Sequence, residues 1–238
     1  MLGERTKQAL AKAAQIVAQS GQRKNEAGVS KLYAWHAPEV VCMDKGKSRT
    51  PYEFGAKVGI AMTLQHNLIV GARAFEGNPF DGHTLREQLE QAGILMQDTG
   101  IKPTTAYVDL GYRGVDGDNP GVDINHRGKA KSLTPQEKKL LKRRQAIEPI
   151  IGHLKEDHGM ERCHLKGAQG DRLHAVLCAA GYNIRWLLRM IARRGVAFLR
   201  RLYLRLCEVA GMRPNWRRML RDVASIAFRG PAPRPATA

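Results

Sequence analysis

Glu148 lies four residues after Arg144 and seven before Lys155. At ~100° per residue, these spacings gather all three side chains on one flank of a helix. One carboxylate is then presented inside a basic stripe. The same spacing also fits an ordinary surface pair between Arg144 and Glu148, worth only ~0.2–0.5 kcal/mol. Asp109 is a second candidate. It closes the short run Thr104–Val108 and is followed by Leu-Gly-Tyr-Arg. A carboxylate at the carboxyl end of a buried strand, with Gly111 leaving the backbone open to a ligand, is where α/β sheets place their chemistry. Its alternative role is to cap the turn that follows.

The segment carrying Glu148 reads as one helix from Thr134 to His158. Thr134 and Glu137 form a capping box, and Pro135 takes the first helical position, where a missing N–H costs nothing. Ile147, Ile151 and Leu154 fall within about 40° of Leu140 and predict an apolar seam. Pro149 removes the bond to the carbonyl of Gln145 and predicts a bend beside Glu148. Upstream, a helix is expected over residues 3–19 as a weakly anchored arm, followed by a polar loop to 30. The basic run Asp44–Pro51 suits a solvated loop or a phosphate contact equally. Two apolar runs, from Tyr52 to Leu64 and from Leu68 to Gly77, flank Gln65-His66-Asn67 and predict an antiparallel hairpin. A helix follows to about Gln97, with Asp81 as its N-cap and Leu85, Leu89 and Ile94/Leu95 on its buried face. Val122–Gly128 reads as a short strand or edge segment. Leu173 to Ile191 keeps a helical period of apolar residues within a core helix, Asp171–Arg194. A basic helix is expected over Phe198–Val209, and residues 231–238 are expected to be disordered.

The 238 residues suffice for one cored domain with extensions. The formal net charge of +17 is unevenly spread, with 14 Lys/Arg against 14 Asp/Glu in residues 1–126 and 25 against 8 in 127–238. That asymmetry suits a polyanionic partner, and a nucleic acid duplex is the commonest. The charge alone would also suit ribosomal RNA or a membrane surface. Aromatic residues make up 6% of the chain, and no motif for stacking bases is present. The four cysteines are scattered without a CxxC pair, so neither a disulfide scaffold nor a zinc knuckle is indicated. There is no apolar run of ~18 residues and no signal-peptide layout, which predicts a cytoplasmic protein.

Arg144, Glu148 and Lys155, taken together, resemble the C-terminal signature of bacterial insertion-sequence transposases of the DDE type, in the insertion-sequence-five group. Lys31–Val40, Pro51–Gly55, Gly77–Leu85 and Val108–Gly114 extend the resemblance over roughly residues 31–194. The signature has Tyr three residues before its Arg, where this chain has Leu141. The resemblance implies an α/β, ribonuclease-H-like DDE transposase core with C-terminal helices, divided as 1–30 (arm and loop), 31–194 (catalytic part) and 195–238 (basic tail). It assigns Asp109 and Glu148 as catalytic, metal-holding acids for Mg²⁺ or Mn²⁺. It assigns DNA contacts to Arg144, Lys155, Arg113 and Arg143. The partners it implies are element-end and target DNA and a second copy of the chain, in a bacterial nucleoid. Such chemistry uses three acids, because two hard cations ~4 Å apart clamp the attacking and leaving oxygens of an in-line displacement. The first acid lies on an opening strand for which residues 1–30 offer no match, so the chain reads as the C-terminal part of a longer transposase. Asp44 and Asp81 are the candidate substitutes. The alternative is a catalytically silent DNA-binding or subunit-interaction protein from a decayed mobile element.

Overall fold

The computed structural model describes residues 3–21, 31–44 and 51–227. The chain separates into two compact units, Met1–Asn183 and Ile184–Ala238. The polar loop 22–30, most of the basic run after Asp44 and the Pro-rich end lie outside the described residues.

The first unit is mixed α/β. Helix α1 (Glu4–Gln19) buries no side chain, yet it is not a loose arm. The Gln19 amide donates to the Leu32 carbonyl and accepts from the Leu32 N–H, both at 2.7 Å. Lys12 donates to the Trp35 carbonyl at 3.1 Å. Strands β1 (Val41–Asp44) and β2 (Tyr52–Gly55) pair antiparallel. The first apolar run therefore splits in two, and only its second half joins the expected hairpin. That hairpin is β3 (Lys57–Met62) with β4 (Ile69–Phe75), irregular in register at Ala61/Met62. Strands β5 (Thr105–Tyr107) and β6 (Asp123–Asn125) are parallel, and main-chain bonds from Val108 to Asn125 and from Asp123 to Thr104, both 2.9 Å, extend their ladder. Among the described residues the six strands thus form three two-stranded sheets.

Helix α2 (Asp81–Met96) packs on β4 and β3 and on the turn after β5. Its buried residues are Gly82, Thr84, Leu85, Gln88 and Ala92, whereas Ile94 and Leu95 are exposed. The expected apolar face gives way to a smaller one because Gln88 and Ala92 lie against the hairpin. Asp81 is the first helical residue and not the cap; Phe80 holds the cap position without a side-chain bond.

The expected single helix Thr134–His158 is two helices. Helix α3 (Pro135–Arg143) opens with the predicted capping box, then a 3-10 turn spans Arg144–Ala146, and α4 runs Ile147–Glu156. Pro149 explains the break. It cannot donate to Gln145, and its ring crowds that carbonyl, so the ladder tightens one turn upstream. In the restarted helix Pro149 sits in the first turn, where N–H groups have no intrahelical partner anyway. The 3-10 turn also resets the phase of the apolar seam. Ile150 and Leu154 are buried, while Leu140, Ile147 and Ile151 are half-buried. The resulting core joins Ile150 and Leu154 to Ile69 and Ala72 of β4 and to Ala175, Cys178 and Ala179 of α5 (Gly167–Val209). The side chain of Asn183 closes this layer by bonding both the N–H (2.9 Å) and the carbonyl (2.8 Å) of Ile69. A second cluster holds Leu85, Val115 and Ile124, with Val108 and Tyr112 against it.

Helix α5 departs from expectation in the face it buries. Its small residues Ala175, Cys178 and Ala179 turn inward, and Leu173, Val176, Leu177, Ile184 and Leu188 are exposed. Small side chains thus line the contact with the core, which periodicity alone does not reveal. The helix continues past Arg194 through a break at Gly195, whose backbone (φ 69°, ψ −166°) is closed to residues with a Cβ.

The second unit takes in α5 from Ile184 onward and α6 (Trp216–Ala227). A Schellman motif ends α5. The Met212 N–H donates to Cys207 at 2.8 Å and the Gly211 N–H to Glu208 at 3.2 Å, with Gly211 left-handed at φ 62°. Tyr203 and Trp216 then meet at 5.7 Å, and the Tyr203 hydroxyl accepts from the Asn215 N–H at 2.8 Å.

Candidate active site

Asp109 follows β5 and caps a 3-10 turn, Leu110–Tyr112, its carboxylate accepting the Leu110 N–H at 2.9 Å. It therefore takes both roles considered for it, strand-end acid and turn cap. Its side chain is 60% exposed, so the cap leaves most of the carboxylate open. Arg144 approaches that carboxylate at 3.8 Å from the 3-10 turn between α3 and α4, and its own side chain is only 14% exposed. The guanidinium is thus spent largely on the protein. Glu148 stands one helical turn further on, in the first turn of α4, and is exposed. An acid there is favoured by the positive end of the helix dipole, and Lys155 in the last turn by the negative end.

Asp81 belongs to the same neighbourhood. Lys57 at the start of β3 holds its carboxylate at 2.6 Å and also donates to the Pro79 carbonyl at 2.6 Å. That clamp presses Asp81 against the Asp109 loop: a Cβ placed on Gly111 would lie 2.7 Å from the Asp81 Oδ2. Any larger residue at 111 would make the Asp81 carboxylate move aside. Tyr112 registers both acids. Burial lifts its phenol above the ordinary value, the charges of Asp81 and Asp109 add to that, and a hydrogen bond with Thr84 opposes it. The Thr84 hydroxyl also donates to the Asp81 carbonyl at 2.7 Å, which ties the phenol's partner to the start of α2.

Of the remaining candidates, Arg113 is exposed at the end of the 3-10 turn. Arg143 points elsewhere. Its guanidinium donates to the carbonyls of Leu64 and, at 2.8 Å, Gln65, so the hairpin turn claims two of its five N–H groups. Asp116 pairs with Lys129, and this contact lowers its pKa. A depression of about 610 Å³ lined by Asp116, Asn119, Asp123 and Lys129 does not include Asp109 or Glu148. Extended polyanions engage open surfaces, so the exposed acids are the better guide to chemistry.

Asp109 and Glu148 offer the hard, exposed oxygens that Mg²⁺ and Mn²⁺ prefer. Among the described residues, no three His, Cys, Asp or Glu side chains gather closely enough to hold a metal ion. The acids present suit a divalent cation in kind and fall short in number. The sequence singled out Asp109, Glu148 and Arg144, but it offered Asp81 mainly as a cap and missed Lys57 and Tyr112. The Lys57–Asp81 contact bridges the whole hairpin and carries no local spacing signal. Asp81 and Thr84, three residues apart at a helix start, were the one cue available.

Residues 122–188 match a family model described as a transposase DDE domain. No match was found for the chain among the curated proteins or the solved structures. No helix among the described residues is long and apolar enough to cross a membrane.

Proposed function

We propose that the protein is a transposase that binds DNA and uses Asp109 and Glu148 for divalent-metal-dependent phosphodiester cleavage and strand transfer. One observation carries this reading. The matched segment contains Arg144, Glu148 and Lys155 but not Asp109, and the fold brings Asp109 to Arg144 at 3.8 Å across 34 intervening residues. The element order, hairpin then α2, β5 with its acid, β6, then α4 with its acid, supports a ribonuclease-H-like core.

Asp109 and Glu148 would hold Mg²⁺ or Mn²⁺, which supplies charge stabilisation to the phosphoryl oxygens when bound. The chain's own residues prepare that site. Arg144 balances Asp109 until a cation takes its place, and Lys57 does the same for Asp81. Gly111 lets the Asp81 carboxylate reach the Asp109 loop, which makes Asp81 the nearest candidate for a third acid. Lys155, Arg113 and the exposed edge of Arg144 face outward as contacts for the phosphate backbone. Arg143 contributes with the N–H groups that the hairpin turn leaves free.

The lack of a gathered third acid among the described residues favours a second reading, a DNA-binding protein without cleavage activity. Nicking of supercoiled plasmid in Mg²⁺ or Mn²⁺ separates the two. Under the first reading, Asp109→Ala and Glu148→Ala each lower nicking by at least ~100-fold and weaken Mn²⁺ binding in calorimetry, while circular dichroism stays unchanged. Loss of nicking in Asp81→Ala as well identifies the third acid. Tight duplex binding with no nicking in either metal establishes the second reading.

A further inference from the structure

We propose that the second unit, residues 184–238, is the principal duplex-binding surface: an arginine-only helical hairpin that grips the phosphate backbone without reading base sequence. This rests on DNA being the partner and adds where and how it is held. Residues 184–238 contain 13 Arg, no Lys and two acids, whereas residues 1–183 contain 15 Lys and 11 Arg against 20 acids. The smaller unit therefore carries +11 of the +17, and all of it is guanidinium. The eleven arginines from Arg185 to Arg221 are all exposed. Arg185, Arg189 and Arg193 recur every fourth residue along α5, and Arg217 and Arg221 repeat that spacing on α6. One of the two acids, Glu208, is already taken by Arg205 at 2.9 Å.

The choice of cation is informative. A guanidinium presents a planar fork that pairs with two phosphate oxygens at once, and it is less strongly hydrated than an ammonium. A surface selected only for solubility has no need to exclude lysine. The hairpin is also held in shape before any ligand arrives. The Tyr203–Trp216 contact, the Tyr203–Asn215 bond and the Schellman turn fix its corner, and Asn215 caps α6 by accepting the Arg218 N–H at 3.0 Å. Helix α6 has no acid in its first turn and instead has Arg217 and Arg218 there. That placement opposes the helix dipole, and an incoming phosphate relieves the conflict. Trp216 packs on Tyr203 and is half-buried, which disfavours a lipid surface, where aromatic rings face outward as anchors.

The test uses the full chain and a short random-sequence duplex, with anisotropy read across a potassium chloride series. Arg200→Gln, Arg201→Gln, Arg217→Gln and Arg221→Gln are combined in one variant. Lys131→Gln, Lys138→Gln, Lys139→Gln and Lys142→Gln, all exposed and in the first unit, form a control of equal charge. The arginine variant is expected to lower the slope of log affinity against log salt by about 3–4, at ~0.9 per lost phosphate contact, and to weaken binding by ~10-fold or more. The lysine control should shift the slope by less than about half as much. If circular dichroism shows the fourfold variant unfolded, the pairs Arg200/Arg201 and Arg217/Arg221 are changed separately, each expected to lower the slope by about 1.8. An equal or larger loss in the lysine control overturns the hairpin as the binding surface and leaves the DNA reading intact. Wild-type chain that ignores the duplex removes both. Capture by phosphatidylserine vesicles with no duplex binding reassigns the hairpin to lipid.

Discussion

The phenol of Tyr112 is half-buried beside two carboxylates. Burial, reinforced by the charges of Asp81 and Asp109, makes the folded chain hold this proton more firmly than the unfolded chain does. The raised group therefore adds stability that is fully present below the unfolded pKa of ~10 and is lost as pH rises through the folded value. Urea midpoints measured from pH 8 upward should be level at first and fall above about pH 10. In Tyr112→Phe that fall should be shallower. An identical fall in both proteins would show that Tyr112 has no special proton affinity. The same residue is a useful gauge of the site. Displacing the charge on Asp109 or Asp81 removes a reason for the phenol to stay protonated, so cation binding should lower its titration point.

The junction between α3 and α4 sets where Arg144 points. A 3-10 turn advances about 120° per residue against about 100° in an α-helix, so three such residues rotate everything downstream by about 60°. Pro149→Ala restores the missing donor to Gln145 and lets α3 and α4 fuse. The expected result is a stability change under about 1 kcal/mol, because the residue already sits in a first turn. Under the proposed site, Mn²⁺ affinity should nevertheless fall, because the change of phase re-aims Glu148 relative to Arg144. Unchanged Mn²⁺ binding in Pro149→Ala, at an unchanged melting temperature, would show that the junction does not aim the site. This element also shows what a sequence can and cannot say. The capping box, Pro135 and the disturbance by Pro149 all follow from local chemistry and were legible. The transfer of burial to Ile150 depends on how the hairpin and α5 meet α4. Burial along α5 went unread for a related reason. Periodicity marks an apolar face but does not tell a core face from an exposed one, and here alanine and cysteine line the contact.

At the scale of the whole chain, an uneven charge stands beside exposed apolar side chains. The composition made the cationic half legible, and the structure narrows most of the excess to the last 55 residues. Pairing of acids across the fold was not legible, since Lys57–Asp81 and Arg144–Asp109 join residues 24 and 35 positions apart. Leu173 and Leu177 lie one turn apart on the part of α5 in the first unit, Ile184 and Leu188 one turn apart on the part in the second, and each is more than half exposed. The two features respond oppositely to dissolved ions. Potassium chloride screens the arginines and frees them from phosphate, whereas sulfate, excluded from protein surfaces, drives apolar faces together. Ammonium sulfate should therefore precipitate or self-associate this protein at ionic strengths where potassium chloride leaves it dispersed, as light scattering would record. Leu177→Gln combined with Leu188→Gln should narrow that gap. The exposed leucines of α5 thus make the choice of anion, and not only the amount of salt, decide whether the chain stays in solution once it has let go of its polyanion.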